Sequence, residues 1–358
     1  MSEYLLPFQM EIVPITKLML VNFERRPDEI YNGLEFQYLQ TKEEGSGYRM
    51  IAYRMDKFVD VFDEESLQMN DPGAFEVCGY GLKNYTKTQF MTKEFVLTEE
   101  GLHVEFSFYD VKNRLIDVRV IEHSKRKSRS FDMIAPIGVS SKNPQYFPLY
   151  TMYQFDFVRK KNTEILVKID GITIIPDSFP MLKDGQKRYF TRYGYDCELV
   201  NIATKNESIL PVLSLDQSNM VVYKEHCFHF ERKENSIGLS HMELQHLKHK
   251  LQFCFLQPLP NIMAMKDGRV KGEFKIQMDE TMGSIGGEYQ VKRNGMLVEI
   301  ELIPTKGWKA VPNSFVTKML FNKRTIFCKW PKSYRYHQTI DLETKQSSCG
   351  WERIMTSL

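Results

Sequence analysis

The chain has 358 residues, which is enough for two ordinary domains or one large β architecture. Hydrophobic residues make up 42% and charged residues 26%, a composition typical of globular rather than disordered chains. The 48 Lys and Arg residues against 46 Asp and Glu residues give a net charge of +2, which argues against a nucleic-acid binder along the whole chain.

The amino-terminal stretch lacks the features of a secretory signal. It has no basic region, and Glu3, Pro7 and Glu11 interrupt its apolar residues. No apolar run in the chain is long enough for a transmembrane helix. The six cysteines are scattered and form no Cys-x-x-Cys pair, a pattern typical of thiols in a reducing compartment. These features predict a cytoplasmic protein.

Alternation of apolar and polar residues dominates the chain and predicts an all-β fold. Gly, Pro, Asn, Asp or Lys occupies nearly every gap between the alternating segments, as expected for turns. The best helical pattern, at 240–252, is interpreted instead as strand and loop. Apart from two hairpins treated next, the predicted strands are 11–23, 34–40, 48–55, 74–82, 131–137, 149–159, 164–175, 188–194, 219–230, 251–257, 271–277, 315–321 and 325–330.

The first predicted hairpin covers 102–123. A loop at 111–113 pairs Phe108 with Ile116, and it places Glu105 opposite Arg119 as a favourable cross-strand pair. Sliding the two strands by two residues loses that ion pair, so this register is preferred. Asn113 suits the left-handed backbone conformation that such a loop needs.

The second predicted hairpin covers 289–300. Asn294-Gly295 is a favoured two-residue turn, and we expect both residues at positive φ. This turn pairs Val291 with Val298 and Tyr289 with Ile300.

Several short motifs recur in the same order and predict an internal duplication. Pro176 and Pro312 are expected to break strands in the two copies, and Ser178 and Ser314 to cap or turn the chain. The matched segments include 106–108 with 228–230, 131–136 with 253–258, and 175–179 with 311–315.

The predicted fold is all-β, with two tandem, internally duplicated antiparallel units that are barrel-like or sandwich-like. Each unit is similar to a lipocalin barrel in size only, and the chain carries no lipocalin signature. The first unit is 1–205, with its core repeat at 102–194. The second is 206–358, with its core repeat at 224–330 and an insertion near 261–286.

Two basic segments, 124–130 and 245–250, occupy the same place in the two predicted copies. One interpretation is a pair of hairpin tips that bind an anionic partner. The other is a pair of solvated tips whose lysines protect a sheet edge. The residues concerned are Lys125, Arg126, Lys127 and Arg129 in the first segment and Lys248 and Lys250 in the second.

A metal site at His226 with His229, or at His246 with His249, was weighed because histidine is a common ligand. On a strand His226 and His229 point to opposite faces, so the sequence predicts no metal site and no cofactor. Gly-rich phosphate loops and the usual hydrolase motifs do not occur in the sequence.

Aromatic and charged residues cluster at 188–195 and 327–337, and Tyr, Trp and Arg often line ligand pockets. The favoured function is therefore noncatalytic binding of a small apolar molecule in a β cavity. The alternatives are an enzyme that acts on a hydrophobic or carbonyl substrate through Tyr, His or Asp, and an interaction protein that uses the basic tips. Nucleic acid is not expected as a partner. The candidate ligand-binding residues are Tyr153, Arg192, Tyr193, Trp330 and Tyr336.

Overall fold

The computed structural model describes most of the chain. The described residues are 2–41, 44–123, 130–136, 147, 149–183, 186–202, 206–233, 236–246, 249–322 and 330–354.

Strands dominate these residues, which confirms the all-β prediction. Within the described ranges there is one α-helix, α1 (Phe315–Phe321), with short 3₁₀ turns at Pro72–Ala74 and Pro331–Ser333. The strands are β1 (Ser2–Leu5), β2 (Met10–Asn22), β3 (Tyr31–Thr41), β4 (Gly45–Arg54), β5 (Phe58–Asp63), β6 (Glu76–Val77), β7 (Tyr80–Lys87), β8 (Thr92–Leu97), β9 (Leu102–Tyr109), β10 (Leu115–Glu122), β11 (Phe131–Pro136), β12 (Leu149–Arg159), β13 (Thr163–Ile169), β14 (Ile172–Ile174), β15 (Ser178–Lys183), β16 (Gln186–Ile202), β17 (Asn206–Ile209), β18 (Val212–Leu215), β19 (Met220–Tyr223), β20 (His226–Lys233), β21 (Ser236–His246), β22 (His249–Pro260), β23 (Gly268–Gln277), β24 (Ser284–Asn294), β25 (Leu297–Lys309), β26 (Tyr334–Asp341) and β27 (Gln346–Arg353).

The chain forms two compact units, and neither is one continuous segment. The N unit comprises Val13–Asp132 and Met152–Glu198, and the C unit comprises Met1–Ile12, Met133–Thr151 and Leu199–Leu358. The linear division between residues 205 and 206 stays a prediction.

The N unit is a sandwich. One sheet has the order β14-β13-β10-β9-β8, and the other, most of which lies in this unit, has the order β11-β12-β16-β2-β3-β4-β5-β7-β6, with β15 beside β16. Neither sheet closes on itself in the described residues. Apolar side chains from both sheets form one core, in which Phe36 lies 4.5 Å from Phe106 and Phe62 lies 5.0 Å from Phe108 between ring centroids. Large facing rings of this kind hold two sheets together.

The predicted hairpin at 102–123 is confirmed. Strands β9 and β10 pair Phe108 with Ile116 and Glu105 with Arg119, and the Arg119 Nε lies 3.0 Å from the Glu105 carboxylate. Asn113 has a φ of 61°, as the loop requires.

The C unit is built on one antiparallel meander with the order β17-β27-β26-β25-β24-β23-β22-β21-β20-β19, and β1 pairs separately with β18. Its interior is occupied by the first residues of the chain. The ring of Phe8 stacks 5.6 Å from Phe253 on β22 and also lies 6.1 Å from Tyr336 on β26. Four strand spacings separate β22 from β26, about 19 Å in a flat sheet. The sheet therefore curls around Phe8.

Polar contacts fix the same amino-terminal segment. The Gln338 side chain donates to the Pro7 carbonyl at 2.6 Å, and the Tyr4 hydroxyl donates to the Leu259 carbonyl at 3.2 Å. These bonds satisfy backbone groups that burial would otherwise leave without a partner.

The predicted register of the hairpin at 289–300 is wrong by two residues. Strands β24 and β25 pair Asn294 with Leu297 and Val291 with Ile300, so Gly295 and Met296 form the turn. Only Gly295 of the predicted turn residues has a positive φ, 60°. The physical reason is that a type II′ turn places glycine at its first central position, whereas the prediction placed it second.

The predicted strand at 315–321 is also wrong, because these residues form α1. The Ser314 hydroxyl accepts from the Thr317 backbone N–H, and the Thr317 hydroxyl accepts from the Ser314 backbone N–H. This reciprocal capping box starts the helix. The expectation that Ser314 caps the chain is thus confirmed. The described residues of 240–252 belong to strands β21 and β22, so they form no helix, as predicted.

The structure does not confirm the duplication. Both predicted copies begin with a hairpin, β9-β10 and β20-β21, but β10 next pairs with β13 whereas β21 next pairs with β22. The shared Pro-x-Ser-Phe motif also folds in two ways, because Ser178 begins β15 and Ser314 caps α1.

Candidate functional site: a buried carboxyl beside Arg192

One face of the longer N-unit sheet carries a carboxyl among apolar neighbours. Glu35 on β3 lies directly between Leu20 on β2 and Ile51 on β4, so all three side chains share a face. Leu34 and Phe36 point to the opposite face and join the sandwich core. The smaller apolar cluster on the Glu35 side comprises Ile51, Tyr53, Val59, Val61, Met69 and Val77, with Leu20, Phe75, Cys78, Tyr80, Leu82 and Tyr85 packed against it and only partly buried.

Two donors hold the Glu35 carboxyl. The Tyr53 hydroxyl lies 2.6 Å from its Oε2, and the Gln37 side-chain amide lies 2.6 Å from its Oε1. Burial raises the pKa of Glu35, and these two hydrogen bonds and the charge of Arg192 only partly offset that rise. The same burial raises the pKa of Tyr53. Glu35 therefore keeps its proton to a higher pH than an exposed glutamate does.

Arg192 on β16 is the cation of this site. Its guanidinium lies over the ring of Phe190, 4.8 Å from the centroid, and it interacts electrostatically with Cys78, Glu35 and Tyr53. Within the described residues it makes no hydrogen bond and no ion pair, and the side chain is half-buried. A guanidinium offers five N–H donors in a planar fork that matches a carboxylate or a phosphate.

The sequence-predicted ligand residues fall in both units. Tyr153 and Tyr193 belong to the N unit with Arg192, where both tyrosines are buried and Tyr193 is part of the sandwich core. Trp330 and Tyr336 belong to the C unit, where they are fully buried among aromatic rings.

Trp330 and Tyr336 contact the protein's own side chains. Phe147 stacks between Trp330 at 5.5 Å and Trp351 at 4.5 Å, and Tyr336 contacts Phe8 and Trp351. A ligand at either residue would have to displace an aromatic ring, which carries much of the buried apolar area. A ligand role for these two residues stays a prediction.

The basic segments give little further information. Lys125, Arg126, Lys127, Arg129 and Lys248 lie outside the described residues. Lys250 is described, and its ammonium lies 2.7 Å from the Glu243 carboxylate. An anionic partner for these segments stays a prediction.

The structure also brings together metal-ligating side chains that the sequence prediction missed. Strands β20 and β21 pair Cys227 with Glu243 and His229 with His241, so the four side chains share one face. His226 is buried on the opposite face, as the alternation predicted. The overlooked signal was the spacing of two residues within each strand of a hairpin, Cys-x-His followed by His-x-Glu.

Comparison with known proteins adds no assignment: no family model, no curated protein and no solved structure matches this chain. No helix in the described ranges is both long and apolar enough to cross a membrane. The described cysteines, which are all except Cys328, are thiols without a disulfide.

Proposed function

We propose that this chain binds a small, mainly apolar molecule that carries an acidic group, without transforming it. The observation that carries the proposal is the Arg192 guanidinium, which stacks on Phe190 and pairs with no described residue. A half-buried cation that has no hydrogen-bonded or ion-paired partner among the described residues loses hydration without a direct replacement, so an acidic ligand would be stabilised there.

The surroundings favour an apolar acid rather than a multiply charged one. The neighbouring Glu35 carboxyl already has two hydrogen-bond donors, Tyr53 and Gln37, and burial raises its pKa. Tyr80 and Leu82 on the same side are only partly buried, so apolar surface is available beside the charge. Apolar contact with one fixed ion pair is a common design of small-molecule sites.

The test is binding of a fluorescent medium-chain fatty acid and of the alcohol with the same chain length. We expect the acid to bind the wild type, and Arg192→Gln to weaken that binding by about tenfold or more, since a hydrogen bond to a charged group contributes about 1.5–3 kcal/mol. The alcohol should bind both proteins alike. Arg335→Gln, which removes an arginine already paired with Glu352, is the matched control. Equal binding of the acid by Arg192→Gln and the wild type would contradict the proposal.

A second candidate function, acid–base catalysis, is favoured by the Tyr53 to Glu35 hydrogen bond beside the same cation. A carboxyl with a raised pKa next to a tyrosine is a common source of a general acid. Native mass spectrometry of the full-length protein with its co-purified or added ligand separates the two functions. A ligand of unchanged mass supports binding alone. A mass change that Glu35→Gln abolishes supports catalysis.

A further inference from the structure

The cluster of Cys227, His229, His241 and Glu243 lies in the C unit and is separate from the Arg192 site. Its four side chains are partly exposed on the outer face of β20 and β21. Buried Phe228 and Met242, which alternate with them, point into the core. The cluster is therefore anchored by a rigid hairpin while solvent can reach it.

The ligand atoms of His229, His241 and Glu243 have the spacing that one metal ion requires, and Cys227 Sγ lies beside one of them. Cys227 Sγ lies 3.3 Å from His229 Nε2, His229 Nε2 lies 3.7 Å from a Glu243 oxygen, and His241 Nε2 lies 3.5 Å from the other oxygen. The ligand atoms of the two histidines and the glutamate all lie within 4.8 Å of one another. Around a tetrahedral zinc ion, with Zn–N about 2.0 Å and Zn–S about 2.3 Å, neighbouring donors are about 3.3–3.6 Å apart.

A neighbouring serine orients one of the histidines. The pairing of β20 with β21 is irregular at Ser240, which lies between two paired positions, Leu239 and His241. The Ser240 hydroxyl donates to the His229 carbonyl at 2.9 Å, so its oxygen accepts from His241 Nδ1 at 3.2 Å. This contact orients the His241 ring, whose Nε2 faces the Glu243 carboxylate at 3.5 Å. Such a partner on the second ring nitrogen is usual for histidines that bind metals.

Two other contacts must change when an ion binds. The rings of His229 and His241 are stacked, 3.9 Å apart and nearly parallel at 8°, and they must turn toward a common point. Lys250 and Gln252 both donate to one oxygen of Glu243, at 2.7 Å and 2.6 Å. The Lys250 side chain is 47% exposed, so its ammonium can move into water when a cation takes its place.

We propose that Cys227, His229, His241 and Glu243 form a zinc site on the outer face of the β20-β21 hairpin. A thiolate and imidazoles select zinc over calcium or magnesium, which prefer oxygen ligands. His229, His241 and Glu243 supply three donors, and Cys227 completes a tetrahedral shell once its Sγ turns toward the ion, so the site is structural rather than hydrolytic. Bound zinc would cross-link β20 and β21 on the face opposite the core.

The experiment uses the full-length protein freed of metal by a chelator. Zn²⁺ is titrated in competition with a chromophoric chelator, and Co²⁺ is titrated separately because a thiolate ligand gives it a sulfur-to-metal charge-transfer band. The variants are His229→Ala, His241→Ala and Cys227→Ser, with His337→Ala as a control. His337 is exposed on β26 of the same unit, away from the cluster.

We expect one Zn²⁺ per chain and a higher melting temperature with zinc. His229→Ala and His241→Ala should each weaken binding more than the roughly 10–100-fold that loss of a ligand's hydrogen-bond partner typically costs. Cys227→Ser, which is nearly isosteric, should abolish the charge-transfer band, and His337→Ala should match the wild type. Absence of saturable binding by the wild type would overturn the proposal. So would unchanged affinity in both histidine variants, or a charge-transfer band that persists in Cys227→Ser. None of these outcomes depends on the Arg192 site.

Discussion

Replacing Asp63 with Asn is expected to destabilise the N unit by about 3 kcal/mol. Asp63 lies on β5 directly opposite Arg49 on β4, and the two form a two-pronged ion pair. Nε and Nη2 of Arg49 lie 2.7 and 2.8 Å from the two carboxylate oxygens. The Arg49 side chain is 6% exposed and that of Asp63 is 0% exposed, so both charges are removed from water.

The magnitude follows from what each substitution leaves behind. Asp63→Asn keeps the volume, and among the described residues it leaves the buried guanidinium with Glu44, 3.2 Å away, as its one charged partner. Breaking one side of a buried pair typically costs about 3–5 kcal/mol, and the remaining glutamate places this case at the low end. The double variant Arg49→Met with Asp63→Leu removes both charges. It should cost less than either single change, since an apolar pair of similar size is often neutral.

The assay is hydrogen exchange of the β4 and β5 amides, which reports the local free energy of opening in a chain with two compact units. The single variants and the double variant together give the coupling energy between the two residues. We expect a coupling of at least about 2 kcal/mol. A cost below about 1 kcal/mol for Asp63→Asn would refute the reasoning, as would a double variant as unstable as the sum of the singles.

Two further predictions concern backbone conformation and pH. Gly295→Ala should destabilise by about 1–2 kcal/mol because a side chain is disfavoured at positive φ, although nothing lies within 4 Å of the added carbon. Gly73→Ala is the control at an ordinary φ, and equal melting temperatures of the two variants would contradict the expectation. Since the folded-state pKa of Glu35 is raised, its contribution to stability is full below the unfolded-state pKa and is lost as pH rises through the folded value. The glutamine of Glu35→Gln does not titrate, so this variant keeps its stability as pH rises. Its stability relative to the wild type should therefore grow with pH, by up to about 1.4 kcal/mol per pH unit between the unfolded-state and folded-state pKa values of Glu35. Parallel pH profiles of the two proteins would show that Glu35 does not titrate in this way.

The sequence predicts features that depend on near neighbours better than features that depend on distant ones. The register of β9 and β10 follows from one ion pair and one apolar alternation, both of which are local. The turn at Gly295 was misplaced because both candidate turns contain the same glycine. The helix α1 was missed because its seven residues are too few to show a helical period beside β-branched Val316 and Thr317.

In the candidate site, too, features that depend on distant residues were harder to predict than local ones. Arg192 was predicted as a ligand-binding residue from its aromatic neighbours in sequence, and that role stays a prediction. Glu35 was missed because nothing in the sequence of β3 marks this glutamate as buried, whereas the structure places it on the face that carries the apolar cluster of Ile51 and Tyr53. The cluster at His229 and His241 required the pairing of β20 with β21, which the sequence analysis had not assigned.

The amino-terminal segment that fills the curled sheet also sets the order in which the C unit can be completed. Phe8 and Pro7 leave the ribosome early, yet Gln338, which holds the Pro7 carbonyl, is made 331 residues later. Contacts this distant in sequence slow folding, because a long loop must close before they form. During synthesis the apolar segment therefore lacks Phe253, Leu259 and Gln338 until the strands that carry them have been added. A nascent chain in this state exposes hydrophobic surface and is prone to aggregation until the sheet is complete.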